Sequence, residues 1–303
     1  MGVGSPSAAF AFAPGHVTAA FRPRTESPDP RGRGSEGVGL VLELGVRARA
    51  RFTPSRSSRL DVTSDLGTPL PISTEVARRL LSARKGRLEV QLTHELPVGQ
   101  GFGMSAAGAL ATALAVARLL GTPRRRAVAV AHLADLFGGG GLGGVAAILG
   151  GGYEIRRTAG IPPWGDVVHG PFLPAVLLGV VGGPIPSPSA LRDPRLLRRI
   201  ETATSTWSGL DRRSAPEELF AAGERFTRRV RLDPPRLRAA LRGLHRRGAF
   251  AFQAMFGESF VALPRSAAAR RTLVAWLADL RIPVVELRAA RVGARCSLAR
   301  DGP

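Results

Sequence analysis

A chain of 303 residues, 44% of them hydrophobic, can bury one large core or two intimate ones and is too apolar to be disordered throughout. Its net charge of +20 comes almost wholly from arginine: Lys85 is the one lysine and asparagine is absent, the pattern that codon bias in a GC-rich genome produces. The arginines are scattered with few aromatics among them, which argues against specific nucleic-acid recognition and leaves a general attraction for polyanions. One cysteine, Cys296, cannot form an intrachain disulfide, which fits a reducing cytosol. No segment reaches the ~20 apolar residues of a membrane span, and the N-terminus lacks the charged start and apolar core of a signal peptide. A cytoplasmic protein without a membrane partner is expected.

In chain order, residues 9–20 read as a first strand ended by a Pro14-Gly15 turn, then a short segment carrying His16 and Thr18. Residues 22–35, rich in Pro, Arg and Gly, read as an exposed loop, and the alternation over 37–51 reads as a strand pair. Residues 87–92 alternate like a half-buried strand. There follows the most informative stretch, 97–108, P-V-G-Q-G-F-G-M-S-A-A-G. Gly99, Gly101 and Gly103 alternate, so the backbone can take positive φ and approach a ligand closely. The alanine-rich run 106–117 has the composition of a buried helix, with Ser105 or a neighbour as its N-cap. The unpaired first amides of such a helix, together with its dipole, suit a phosphate. A plain glycine turn ahead of a core helix is the simpler alternative, but a turn needs one or two glycines, not this array. A P-loop is excluded because no Gly-Lys-Ser/Thr occurs, and a Rossmann fingerprint is disfavoured because Met104 stands where its third glycine belongs.

Pro123 opens a second helix over 124–137, whose His132 and Asp135 share a face. An acid near a helix C-terminus opposes the dipole, which hints that Asp135 has another purpose than solvation. Glycine crowds 138–152. Beyond Pro171 the reading is a strand over 175–181, a loop over 184–188, and helices over 194–205, 216–230 and 235–247. A strand region over 250–263 with a turn at Gly257, a helix over 267–280, a strand over 283–287 and a final segment 292–298 complete the chain.

The phrase at 97–108 resembles the phosphate-binding motif of the GHMP kinases (galacto-, homoserine, mevalonate and phosphomevalonate kinases). With the matches that follow, it resembles the archaeal-type pantoate kinases among them. The resemblance runs from about residue 11 to 298 and is strongest over 94–118 and 131–165. It implies an α+β GHMP-kinase fold: an ATP-binding lobe over 1–170, a ferredoxin-like αβ lobe over 171–303, and an active site in the cleft between them. The implied activity is ATP-dependent phosphorylation of pantoate on the route to coenzyme A. By the same resemblance Pro97, Gly99, Gly101, Phe102, Gly103, Met104, Ser105 and Ala106 would cradle the nucleotide phosphates. Ser105 and Asp135 would hold Mg2+ and serve catalysis, and His16 and Thr18, in a phrase similar to P-G-H-x-T, would place the substrate. The partner implied is a small hydroxy acid, with a homodimer left open.

Four positions depart from the family pattern. Glu36 stands where the phrase resembling G-S-R-G-A-G has arginine, which would reverse the charge offered to an acidic substrate. Asp135 replaces the glutamate of A-H-x-A-E, keeping the oxygen ligands on a shorter stem. In the stretch resembling T-G-L-G-D-V, Gly140 replaces threonine and Gly144 replaces aspartate. By the resemblance that aspartate would be the base or the orienter of the substrate hydroxyl, and loss of a positioned base forfeits ~10²–10⁴ in rate. Phosphoryl transfer leans mainly on positioning and charge stabilisation, so activity is still expected. The alternative is a weakened nucleotide-binding or regulatory relative. Asp166 and His169 follow nearby as candidate substitutes for the lost carboxylate.

Overall fold

A computed structural model of the chain describes residues 8–170, 175–185 and 187–298. Two long strands, β1 (Ala8–Arg24) and β2 (Gly34–Pro54), pair antiparallel along most of their length. They leave only 25–33 as the connecting loop, shorter than the sequence suggests. β1 does not turn at Pro14-Gly15. Pairing with β2 continues through a register shift there, and a Cβ on Gly15 would stand 2.9 Å from the Phe102 carbonyl oxygen, so the glycine admits another backbone instead of reversing its own. Nor is β2 a strand pair: Gly45 lies mid-strand opposite Pro14.

β3 (Arg59–Ser64), α1 (Pro71–Leu81), β4 (Gly86–His94), α2 (Met104–Leu120), α3 (Arg124–Phe137), the one-turn α4 (Gly144–Ala147), β5 (Tyr153–Thr158) and β6 (Asp166–His169) follow. Then come β7 (Val176–Pro184), α5 (Ser187–Ala190), α6 (Pro194–Thr202), α7 (Pro216–Val230), α8 (Pro235–Arg246), β8 (Ala249–Gln253), β9 (Gly257–Pro264), α9 (Ala267–Asp279), β10 (Val284–Leu287) and β11 (Arg295–Leu298). The segment 184–188 is thus shared between the end of β7 and the start of α5, and α6 ends at Thr202, short of residue 205. A larger sheet runs β11-β1-β2-β4-β3, with β5 on the first half of β2 and β6 beyond it. A smaller antiparallel sheet runs β10-β7-β9-β8, so its four strands lie in the order 4-1-3-2, with helices after the first and third.

The core explains why so bland a sequence as M-S-A-A-G-A-L-A-T-A-L-A-V-A-R-L-L makes α2. Every residue from Ala106 to Ala117 is buried, as are Met104 and Leu120. A helix that is apolar all round belongs in an interior, and α2 lies against β1, β2, α1 and α3. Its small side chains let those elements approach closely. A bulky replacement has nowhere to go: Ala113→Leu, at a fully buried site, is expected to cost about 1–3 kcal/mol in urea unfolding. Arg118→Ala, exposed on the same helix, is expected to stay within about 0.5 kcal/mol of the parent.

Candidate active site

Gly99, Gly101 and Gly103 adopt φ of 78°, 74° and 70°, the left-handed region that glycine alone enters freely. Their loop is seated on both sheets. The Phe102 carbonyl accepts from the His16 amide at 3.0 Å, on the larger sheet. On the smaller one, the Gln100 carbonyl accepts from the Ser259 hydroxyl at 2.5 Å, and the Gln100 side-chain amide donates to the Gly182 carbonyl at 3.0 Å. A Cβ on Gly101 would lie 2.7 Å from the Ala254 carbonyl oxygen, and one on Gly103 would lie 2.9 Å from the His16 backbone. These glycines therefore lack side chains because protein backbone presses on them, not only because a ligand must approach. The residues Met255 and Gly257, from the stretch read as a strand with a turn, belong to this seat.

Gly103, in the left-handed conformation, is the N-cap of α2, and the helix begins at Met104. Ser105 is consequently inside the first turn and does not cap it, because the left-handed glycine already sets the helix start. The first amides of α2 have no intrahelical acceptor, and no side chain caps them. They face a cavity of about 430 Å³ lined by the glycine loop, the 139–144 glycines, His16, Thr18 and Asp135. Of the nucleotide-site candidates, Gly99, Gly101, Phe102, Gly103, Met104, Ser105 and Ala106 line this cavity and Pro97 does not.

Freed from capping, the Ser105 hydroxyl donates to the Asp135 carboxylate at 2.6 Å. Asp135 sits in the last turn of α3, 2% exposed. Burial pushes its carboxyl up to about 7, against the lowering effect of the Ser105 bond. A Cβ on Gly140 would collide with both the Asp135 carboxylate and the Ser105 hydroxyl, so glycine is what lets the 138–144 stretch fold over this pair. A buried carboxylate and a hydroxyl, both oxygen donors beside open helix amides, fit Mg2+ carried on a nucleotide. Among the described residues no group of three or more His, Cys, Asp or Glu is placed to hold a metal ion. The protein would thus supply two ligands, leaving the rest to phosphate and water.

His16 lines the opposite wall. Its Nε2 lies 2.8 Å from Oε1 of Glu154 on β5, and the same oxygen accepts from Arg156. Glu154 is 0% and Arg156 2% exposed. Burial holds the His16 imidazole below its ordinary value. For Glu154, burial alone would raise the carboxyl, but the charge of Arg156 and the bond to His16 hold it low. A Cβ on Gly39 would collide with the His16 ring, so the strand opposite keeps the space clear. Thr18 also lines the cavity.

Sequence reading missed Glu154 and Arg156. Their signal was faint: two charges two apart, hence on one face of a strand, with a third, Arg157, beside them to blur the pattern. Arg156 lies behind Gly143 and Ser35, its Nε 2.8 Å from where a Cβ of Gly143 would be and 3.2 Å from the Ser35 carbonyl it donates to. Glu36 does not face the cavity; it pairs with Arg24 at 3.1 Å, so it does not reverse the charge met by a substrate. Asp166 is exposed, and His169 is bonded to the Gly151 carbonyl at 3.0 Å; neither lines the cavity. At Gly144 a Cβ would lie 2.6 Å from that of Ala106, so the position is packed for glycine and a carboxylate cannot simply be put back.

Residues 72–152 match the family model for the GHMP kinases N terminal domain. The chain is 35% identical over 164 residues to a pantoate kinase of Methanospirillum hungatei, covering 52% of this chain and 55% of that protein. It is 37% identical over 158 residues to a pantoate kinase of Thermococcus kodakarensis, covering 50% and 52%. The chain thus spans about half the length of these curated relatives. A solved structure described as a phosphotransferase related to the CoA biosynthesis pathway superposes with a TM-score of 0.87 at 28% identity, over 96% of this chain and 98% of that one. The family match thus falls on the segment that carries the glycine loop, α2 and Asp135, and the backbone as a whole has the fold of that solved phosphotransferase.

Proposed function

We propose that the protein transfers the terminal phosphoryl group of ATP to the hydroxyl of pantoate, forming 4-phosphopantoate. The observation that carries this reading is the cavity in which the open amides of α2 meet the Ser105–Asp135 pair. The amides and the glycine-loop backbone bind phosphate oxygens, the positive end of the helix dipole adding to the attraction. Ser105 and Asp135 would hold Mg2+, which when bound neutralises phosphate charge. The acceptor lies on the side of His16 and Thr18, with Arg156 as the nearest buried cation behind the wall. Arg156 is engaged by Glu154 and Ser35, and it is the relatives named pantoate kinase that point to a hydroxy acid as acceptor. Phe21, Phe102, Met255 and Phe256 are among the apolar side chains of the lining that would keep water out. A weakened or regulatory role is not favoured, because Ser105 and Asp135 are both in place and bonded to each other.

Two measurements check this. Release of ADP from ATP is expected to depend on pantoate and on a divalent cation, to stop with chelator, and to be at least tenfold slower with hydroxy acids of other shapes. Absence of turnover with pantoate while another acceptor is used would replace the substrate, and absence with every acceptor would remove the activity.

Asp135 supplies the second. Its carboxyl binds a proton more tightly folded, at about 7, than unfolded, at 3.8. Stability from this group is therefore present at low pH and lost as pH rises between those values. Asp135→Asn is expected to stabilise the ligand-free protein at pH 8 by up to about 4 kcal/mol and to leave it unchanged below pH 4. The same variant is expected to lose cation-dependent nucleotide binding in calorimetry. An unstabilised variant at pH 8 would show that the buried carboxyl is not under strain.

A further inference from the structure

We propose that His16 accepts the hydroxyl proton of the substrate, with Glu154 as the positioning residue that orients its ring and Arg156 holding Glu154 in turn. The inference rests on the kinase reading above and names the group that does the work left open by Gly144. Two titratable side chains line the cavity among the described residues, Asp135 and His16. Asp135 is engaged at the phosphate end by Ser105. His16 is left for the acceptor, and its position is fixed at both ends: its amide is tied to the Phe102 carbonyl beside Gly103, and its ring is held by Glu154 at the edge of the same cavity.

The direction of the ring follows from its partner. Glu154 is fully buried and bonded to Arg156, which keeps it ionised. An ionised carboxylate only accepts, so the 2.8 Å contact places the proton of neutral His16 on Nε2 and the lone pair on Nδ1. Nδ1 makes no hydrogen bond among the described residues and is not among the buried unpartnered atoms, whereas Oε2 of Glu154 is. A buried carboxylate with acceptor capacity to spare favours positive charge appearing on the ring, the logic of a histidine oriented by an acid. Burial and the neighbouring Arg156 and His169 oppose that charge, and Glu154 is the group that favours it. The charged groups facing His16 are Glu154 and Arg156 on β5 and His169 on β6, with Asp135 on α3 across the cavity. The facing part of β2, G-V-G-L-V, and the glycine loop contain none.

In the step, the substrate O–H bond breaks as its oxygen bonds to the γ-phosphorus. The bond from that phosphorus to the β,γ-bridging oxygen breaks, and its electron pair leaves with ADP. The proton passes to Nδ1 and from there to solvent.

The test compares wild type, His16→Gln and Glu154→Gln in pantoate-dependent ADP release, with nucleotide affinity measured by calorimetry. His16→Gln is expected to lower kcat about 10²–10⁴-fold with nucleotide affinity unchanged. Glu154→Gln is expected to lower kcat while the KM for pantoate stays within about threefold. With nucleotide and cation saturating, so that Asp135 stays ionised throughout, its kcat/KM profile for pantoate should lose activity on the acid side at lower pH than wild type, because the carboxylate that raises the imidazole is gone. A merely structural Glu154 would leave that limb where it was. Should Glu154→Gln fail to fold, ring-nitrogen NMR of the wild type decides: the Nε2–H tautomer is expected, and Nδ1–H overturns the proposal. Wild-type kcat in His16→Gln, or a change confined to KM, overturns the relay and leaves the kinase intact. An inactive wild type removes both.

Discussion

The hydrogen bond from the His16 amide to the Phe102 carbonyl is the contact through which the larger sheet fixes the glycine loop. It requires the break in register at Pro14 and the missing side chain of Gly15, since any Cβ there would press on that same carbonyl. Through it the glycine loop and the His16 side of the cavity are set by one peptide. The matching bond from Ser259 to Gln100 gives the smaller sheet a hold on the other side of the loop. A loop gripped by two sheets is already in its working conformation, and little ordering remains to oppose binding.

Two buried carboxylates flank this loop in opposite circumstances. Glu154 has a guanidinium and an imidazole beside it and stays charged. Asp135 has a hydroxyl and no cation, and resists ionising. The difference divides the labour, because a paired acid can orient a neighbour whereas an unpaired one is short of a positive charge. A bound divalent cation would meet that shortage. The protein thus holds unfavourable electrostatics at the place where binding can relieve them, a common cost of a functional site.

Much of this was legible in the chain. The alternating glycines, Ser105 and the alanine-rich helix announced an anion site, and the unfavourable place of Asp135 on its helix marked it as more than solvated surface. What escaped reading depended on distant contacts. A Pro-Gly pair ordinarily signals a turn, and only the arrival of Phe102 makes it a bulge in a continuous strand. Ser105 looked like a cap because the left-handed conformation of Gly103 cannot be seen locally. Helix α1 went unnoticed although Pro71 stands in its first turn. Glu154 and Arg156 looked like ordinary strand charges. Their burial follows from glycines on β2, more than a hundred residues earlier, that leave them room.

The cavity lining contains neither arginine nor lysine among the described residues, in a chain with a net charge of +20. Attraction and retention are thereby separated. The field of the whole molecule concentrates anions around it and hastens their arrival, while the walls they reach offer backbone amides, the one nearby guanidinium, Arg156, being buried behind them and already paired. Under the kinase activity proposed above, a phosphorylated acid would leave more negative than it came. Free guanidiniums in the wall would grip it hardest at the moment it should depart, so their exclusion from the lining favours escape of product over tightness of capture.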